Sequence, residues 1–253
     1  MRKSTTPQRW TITSDKFLST DQVDQLIKHL AEKRDLSLAR NRFPQRVKDF
    51  YILRALLETG LRVFELCALI EGDFKGQRLV VRQGKGGKAR TVLLTGATAS
   101  LLREWLEIKQ VIHFVSAPSE PMFPSQTGMS YSTRGVRKRV KTVFAEIGLP
   151  SHLSVHALRH TNASLLLSKG VSLPTIRDNL GHHSISVTNI YAHACGSIEA
   201  VDLLGANGSE ISVIPEPKQQ AKTRNQLDIV ARVLRKRNKK RTKPKPLGVE
   251  HGK

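Results

Sequence analysis

Cysteine is almost missing from this chain of 253 residues: Cys67 and Cys195 are the only two, and they stand far apart. That excludes a disulfide scaffold and a CxxC metal knuckle, and it fits a reducing cytoplasm. Long apolar runs are missing as well. No stretch approaches the roughly 20 residues that a bilayer-spanning helix needs. No apolar segment follows the charged start MRKSTTPQRW, so no secretory signal is expected. Acidic residues are scarce, 21 Asp and Glu against 42 Lys and Arg, which leaves a formal net charge of +21. So large a positive excess points to a polyanionic partner, with nucleic acid first and an anionic membrane surface second. What is present suffices for a core, since 39% of the residues are hydrophobic.

Hydrophobic periodicity divides the chain. Residues 1–16 read as a flexible arm, and Ser19-Thr20-Asp21-Gln22 as a capping box. A helix follows, with Val23, Leu26, Ile27 and Leu30 on one face. A second helix starts near Pro44, carries Val47, Phe50, Leu53 and Leu57 as its apolar stripe, and ends at Gly60. A short helix over 63–69 is next. The period then changes: 78–82 and 89–94 read as two strands joined by the glycine-rich turn Gly84-Lys85-Gly86-Gly87-Lys88, a β-hairpin. A helix over 97–109 and a Pro/Ser/Gly loop over 115–130 follow. Over 132–147, Val136, Val140, Val143, Phe144 and Ile147 share one helix face, and Arg134, Arg137, Lys138 and Lys141 share the other. Further helices are predicted at 155–169, 173–180 and 184–194. Segment 201–226 reads as a linker and 227–253 as a basic tail; from Lys218 onward 13 Lys and Arg face two acids. The expected architecture is a mainly α domain with a small antiparallel β-hairpin over 17–200, plus the appendages.

Most of the chemistry-bearing residues stand in the second half. His156, Arg159 and His160 at i, i+3 and i+4 share the face of a helix start, with Ser154 a plausible cap. A helix N-terminus suits a phosphate. Gly181-His182 ends the next helix, and Tyr191 lies nine residues beyond His182. Arg62 follows the helix-ending Gly60, and Lys85 sits on the hairpin tip. Two arginines, a lysine, histidines and a tyrosine form a metal-free set for phosphoryl transfer. Arginines neutralise a pentacoordinate phosphate, a tyrosine oxygen is a nucleophile once its proton is accepted, and a lysine or histidine protonates the leaving oxygen.

The run Thr59-Gly60-Leu61-Arg62-Val63-Phe64-Glu65-Leu66, the turn Gly84 to Arg90, His156-Ala157-Leu158-Arg159-His160, Leu180-Gly181-His182 and Tyr191 together resemble the tyrosine recombinases, in order and spacing, across about 17–195. The resemblance implies the catalytic-domain fold of that family and a role for each residue. Arg62 and Arg159 clamp the scissile phosphate. Lys85 is the general acid toward the leaving 5′-oxygen. His156 manages the nucleophile's proton, His182 hydrogen-bonds the phosphate, and Glu65 supports the geometry. Tyr191 is the nucleophile, giving a 3′-phosphotyrosine without ATP, metal or other cofactor. Recombination would join two double-stranded DNA sites through four protomers, from a protein that could be monomeric when free. Arg134, Arg137, Lys138, Lys141, Lys88 and Arg90 are the expected DNA contacts. The family usually carries a separate N-terminal DNA-clamping domain, whereas here only a short arm precedes the matching region.

Plainer readings stand beside these. His156 and His160 at i, i+4 are spaced as zinc ligands, but there is no HExxH. GKGGK lacks the strand–GxxxxGK[ST]–helix setting of a nucleotide loop. Arg62 with Glu65 matches a common i, i+3 surface pair, and the basic helix face a solvated one. The tail reads as a nonspecific DNA tether, or through Leu227, Val230, Val233 and Leu234 as a docking helix. A catalytically inactive DNA-binding protein and a type IB topoisomerase-like enzyme are the competing functions.

Overall fold

The structure is a computed structural model that describes residues 14–40, 44–84, 87, 89–113 and 116–181. The expected last helix, linker and tail, with His182, Tyr191 and Cys195, lie outside the described residues, as do Lys85 and Lys88. Seven helices and one small sheet are seen among the described residues: α1 (Thr20–Arg40), α2 (Pro44–Thr59), α3 (Val63–Ala68), β1 (Phe74–Lys75), β2 (Arg78–Val81), β3 (Arg90–Leu93), α4 (Gly96–His113), α5 (Thr133–Glu146), α6 (Val155–Ser168) and α7 (Leu173–Leu180). The mainly helical expectation holds, with β2 and β3 antiparallel and Val81 opposite Arg90. The two-residue β1 was not foreseen; it adds a third strand beside β2, too short to carry a period.

The start of α1 follows its sequence signal. Ser19 N–H donates to the Gln22 side chain at 3.0 Å, and Gln22 N–H returns to Ser19 Oγ at 3.3 Å. Of the expected arm, residues 14–16 form a 3-10 turn. That turn and the residues after it are tied to the α6 region: His152 Nε2 donates to Asp15 O at 2.8 Å, and Leu18 N–H to Thr161 Oγ1 at 2.9 Å.

Helix α2 runs through the middle, packed by α1, α4, α5 and α6. It is therefore buried nearly all round, from Val47 to Thr59, rather than along the single stripe its spacing suggested. Tyr51, Trp105 and Phe123 stack in the core with centroids 5.1 and 5.7 Å apart. Their polar tips are satisfied: Trp105 Nε1 donates to Met122 O at 2.7 Å, and Tyr51 Oη to Glu104 at 2.8 Å.

Helix α5 is amphipathic as expected. Val136, Val140, Val143 and Phe144 are buried, while Arg134, Arg137, Lys138 and Lys141 are exposed. Its anchor was not foreseen. Arg139, between the two faces, makes a bidentate pair with the Asp49 carboxylate on α2, whose Oδ1 lies 2.9 Å from Arg139 Nε. Asp49 is 1% exposed and also accepts from Gln45 at 2.9 Å. Lys48, beside it, is buried and donates at 3.0 Å to the carbonyls of Pro124 and Ser125, fixing the loop that leads into α5. Burial lowers its pKa to about 8.

Breaking a buried pair typically costs about 3–5 kcal/mol. Arg139 is a quarter exposed and can turn to water, so Asp49→Asn is expected to cost less, about 2 kcal/mol. For a domain of this size that lowers Tm by about 4–8 °C, read by thermal unfolding. An unchanged Tm would show that α5 is held by its apolar face alone.

Candidate active site

Arg62 and Glu65 sit on the same short helix, and their spacing is used twice. Arg62 is the N-cap of α3, and its backbone N–H donates to Glu65 Oε2 at 2.8 Å, the return arm of a capping box. Its guanidinium also reaches Glu65, with Nη1 to Oε1 at 3.0 Å. This is not the surface pair that the spacing alone allows, because Glu65 is 1% exposed. Burial by itself would raise the pKa of that carboxyl. Hydrogen bonds from Arg90 and the Arg62 backbone, with both positive charges, outweigh burial and hold it below the usual glutamate value.

Arg159 enters from α6, 7% exposed. Its Nη1 donates to Gly60 O, and its Nη2 to Leu180 O at 2.7 Å. Arg62 converges on the same helix end: Nη2 donates to Gly181 O at 3.0 Å, and Nη1 lies 3.5 Å from Leu180 O, at the limit of a hydrogen bond. A helix C-terminus presents unpaired carbonyls and the negative end of the dipole, so it holds cations well. Gly181 closes α7 in the left-handed conformation (φ 66°), which turns its carbonyl toward Arg62 and leads the chain directly to His182.

Gly60 makes the convergence possible. Its φ is +62°, and a Cβ there would come within 2.4 Å of Leu180 Cδ2 and 2.6 Å of Asn162 Oδ1. Asn162 in turn donates to Leu57 O and Glu58 O, at 2.9 and 3.1 Å, and so satisfies the end of α2. Asn162 belongs to none of the sequence motifs. Its one signal is a polar run, Thr161-Asn162, among the buried positions of α6.

The trio on α6 separates. Arg159 is buried, His156 is exposed and His160 is half-buried. Ser154 is the N-cap, but its hydroxyl makes no cap bond; its carbonyl accepts Ala157 N–H instead. Desolvation by burial lowers the pKa of His156, and Arg137, Arg159 and Arg62 lower it further. Burial, His156, Arg159 and Lys16 take His160 down to about 4, so both imidazoles are neutral at pH 7. Among the described residues no three His, Cys, Asp or Glu side chains gather as a metal centre would require. Cys67 is buried beside the site, its thiol pushed up to about 11 by burial.

Arg90 departs from the expectation that it faces DNA. Its guanidinium is 12% exposed, and each of its three nitrogens donates to protein. Nη1 and Nη2 hold Glu65 Oε1 and Oε2 at 2.7 and 2.9 Å, and Nε holds Asn179 O at 3.0 Å. The described part of the site is therefore a ring of three arginines around one buried carboxylate and the end of α7. Such a ring is a preorganised array of donors for negative charge.

Solved structures share this architecture. XerA recombinase matches over 70% of this chain and 60% of its own, with a TM-score of 0.57 at 26% identity. XerH site-specific recombinase bound to its palindromic difH substrate, in a post-cleavage complex, matches over 71% and 50%, also at 0.57, with 25% identity. Tyrosine recombinase XerC of Corynebacterium efficiens is 39% identical over 147 residues, 58% of this chain and 46% of that protein. Its counterpart in Roseiflexus castenholzii is 35% identical over 179 residues, 70% and 54% of the two chains. The chain spans about half the length of these curated relatives. Residues 16–196 match the phage integrase family, and the chain belongs to it, as a tyrosine recombinase catalytic domain.

The charge on His156 is open to direct measurement. In the free protein an NMR titration is expected to place its midpoint below 6.5. Arg137→Ala removes a nearby positive charge and should raise that midpoint. A midpoint that does not move would detach Arg137 from the site.

Proposed function

We propose that this chain is the catalytic part of a site-specific DNA recombinase that cuts and rejoins strands through Tyr191. The observation that carries this reading is the convergence of Arg62 and Arg159 on Leu180 O, two residues before His182. The scissile phosphate would lie between the two guanidinium groups, with His182 beside it. The phenol oxygen of Tyr191 bonds to phosphorus, the bond from phosphorus to the 5′-oxygen breaks, and a 3′-phosphotyrosine and a 5′-hydroxyl result. His156, neutral at pH 7, takes the phenol proton, and Lys85 gives a proton to the leaving oxygen. The phosphotyrosine keeps the energy of the broken bond, so rejoining is the same step reversed. Two DNA sites and four protomers would complete the exchange. The recorded binding of XerH to a palindromic site supports a paired arrangement.

The exposed face of α5 is the proposed DNA-reading surface, with Arg134, Arg137, Lys138 and Lys141 against phosphates or bases, and Lys88 beside the hairpin tip. The basic tail would add a tether. Among the described residues no helix is long and apolar enough to cross a membrane.

Two measurements test this. On a nicked suicide substrate, Tyr191→Phe is expected to abolish the covalent adduct on a denaturing gel while Kd stays within about twofold, because the phenol is asked for chemistry and not for binding. Adducts persisting in that variant would remove Tyr191 as nucleophile. Adduct formation on a single duplex, with relaxation of supercoils and no strand exchange, would favour the topoisomerase-like reading. For α5, each residue that neutralises a phosphate carries a salt slope of about 0.9, so charge removal at Arg134 and Lys138 together should flatten log Kd against log salt by about two. An unchanged slope would place that face away from DNA.

A further inference from the structure

We propose that Arg90 is a positioning residue for the hairpin lysine: it locks the root of the β2–β3 hairpin to Glu65 and to the last turn of α7, and so sets where Lys85 acts. This inference rests on the reading of Lys85 as general acid.

Arg90 is the first residue of β3 and pairs with Val81, the last of β2, so the segment 82–89 that carries Lys85 begins and ends at this pair. Holding a long lysine side chain in one place costs rotamer entropy, and β3 is an outer strand of the sheet, backed by β2 alone. General-acid catalysis requires the amine within hydrogen-bond reach of one leaving oxygen. Rigidity must therefore come from the root. Arg90 supplies it with a planar fork on both oxygens of Glu65, and with Nε on Asn179 O. Further along β3, Leu93 N–H donates to Asn179 Oδ1 at 3.2 Å, a second attachment to α7. The Arg90 side chain is wedged beneath Gly181, where a Cβ would come within 3.0 Å of its Cδ and Nε.

The opposite root residue, Arg82, reaches Asp73 at 3.0 Å and Ala68 O at 2.8 Å. Its guanidinium is 51% exposed against 12% for Arg90, so it is free to turn to water and holds its buried carboxylate less firmly. Arg90 is therefore the stronger of the two anchors. Its carboxylate is also the one that holds Arg62, so Glu65 registers hairpin and phosphate clamp against each other.

The test uses the full chain on a nicked suicide substrate, with either a normal or a 5′-bridging phosphorothioate link at the cleavage site. The sulfur leaves without needing a proton. Since a general acid contributes about 10²–10⁴ in rate, Arg90→Ala is expected to slow cleavage of the normal link by about 30-fold or more. The phosphorothioate should return the rate to within about threefold of the unsubstituted protein, with Kd and its salt slope unchanged. Arg90→Lys keeps the charge but cannot bridge both carboxylate oxygens. It should show a smaller loss with the same rescue, and it carries the test if thermal unfolding shows that Arg90→Ala does not fold. A salt slope reduced by about one would make Arg90 a phosphate contact and overturn the inference. So would an unrescued Arg90 variant beside a rescued Lys85→Ala. If Lys85→Ala itself is not rescued, the reading of Lys85 as acid fails first, and the inference about Arg90 falls with it.

Discussion

Like charges resist being gathered, and this site gathers three guanidinium groups at one helix end. Arg62 and Arg159 share one carbonyl acceptor, so their nearest nitrogens are about 6 Å apart or closer; at an effective dielectric of 20 such a pair repels by about 3 kcal/mol. Two features offset that repulsion. Glu65, buried and held ionised, faces Arg62 and Arg90. The C-terminal turn of α7 offers the carbonyls of Asn179, Leu180 and Gly181 to Arg90, Arg159 and Arg62. Six guanidinium nitrogens thus meet a single carboxylate and the negative end of a helix dipole, and a positive field remains around the cluster.

The rest of the fold keeps that cluster in place. Helix α2 ends at Gly60, and only a residue without a side chain lets α6 and α7 approach so closely there. The same helix carries Asp49, which anchors Arg139 and through it the basic face of α5. The arginine cluster and the basic face of α5 are therefore both measured from one buried rod. His156 feels Arg137 of α5 as well as Arg62 and Arg159; desolvation by burial, and then these positive neighbours, lower its pKa.

Much of this was legible in the chain itself. Periodicity located α2 to α7 within a few residues, because each has an apolar face that must be buried. The capping box at Ser19 and the helix-ending role of the glycines at 60 and 181 rest on local geometry, which a sequence states directly, whereas the close approach of α6 and α7 at Gly60 does not. The placement of Arg62 beside Glu65 followed from the i, i+3 spacing. Single residues whose partners are remote in sequence were not legible. Arg90 was expected to face DNA, and Arg139 carried no expectation at all; each found a buried carboxylate on another element. The acceptors on α7 are backbone atoms, which leave no residue-type signal at all.

The sequence by itself determined the order and kind of the elements, the sign of the molecule's charge and the chemical set of arginines, histidines, lysine and tyrosine, since these depend on residue type and short spacing. The tertiary structure alone decided which cations point outward and which are tied to Glu65, Asp49 and the end of α7. That choice depends on distances between elements far apart in the chain, and only the packing around α2 sets them.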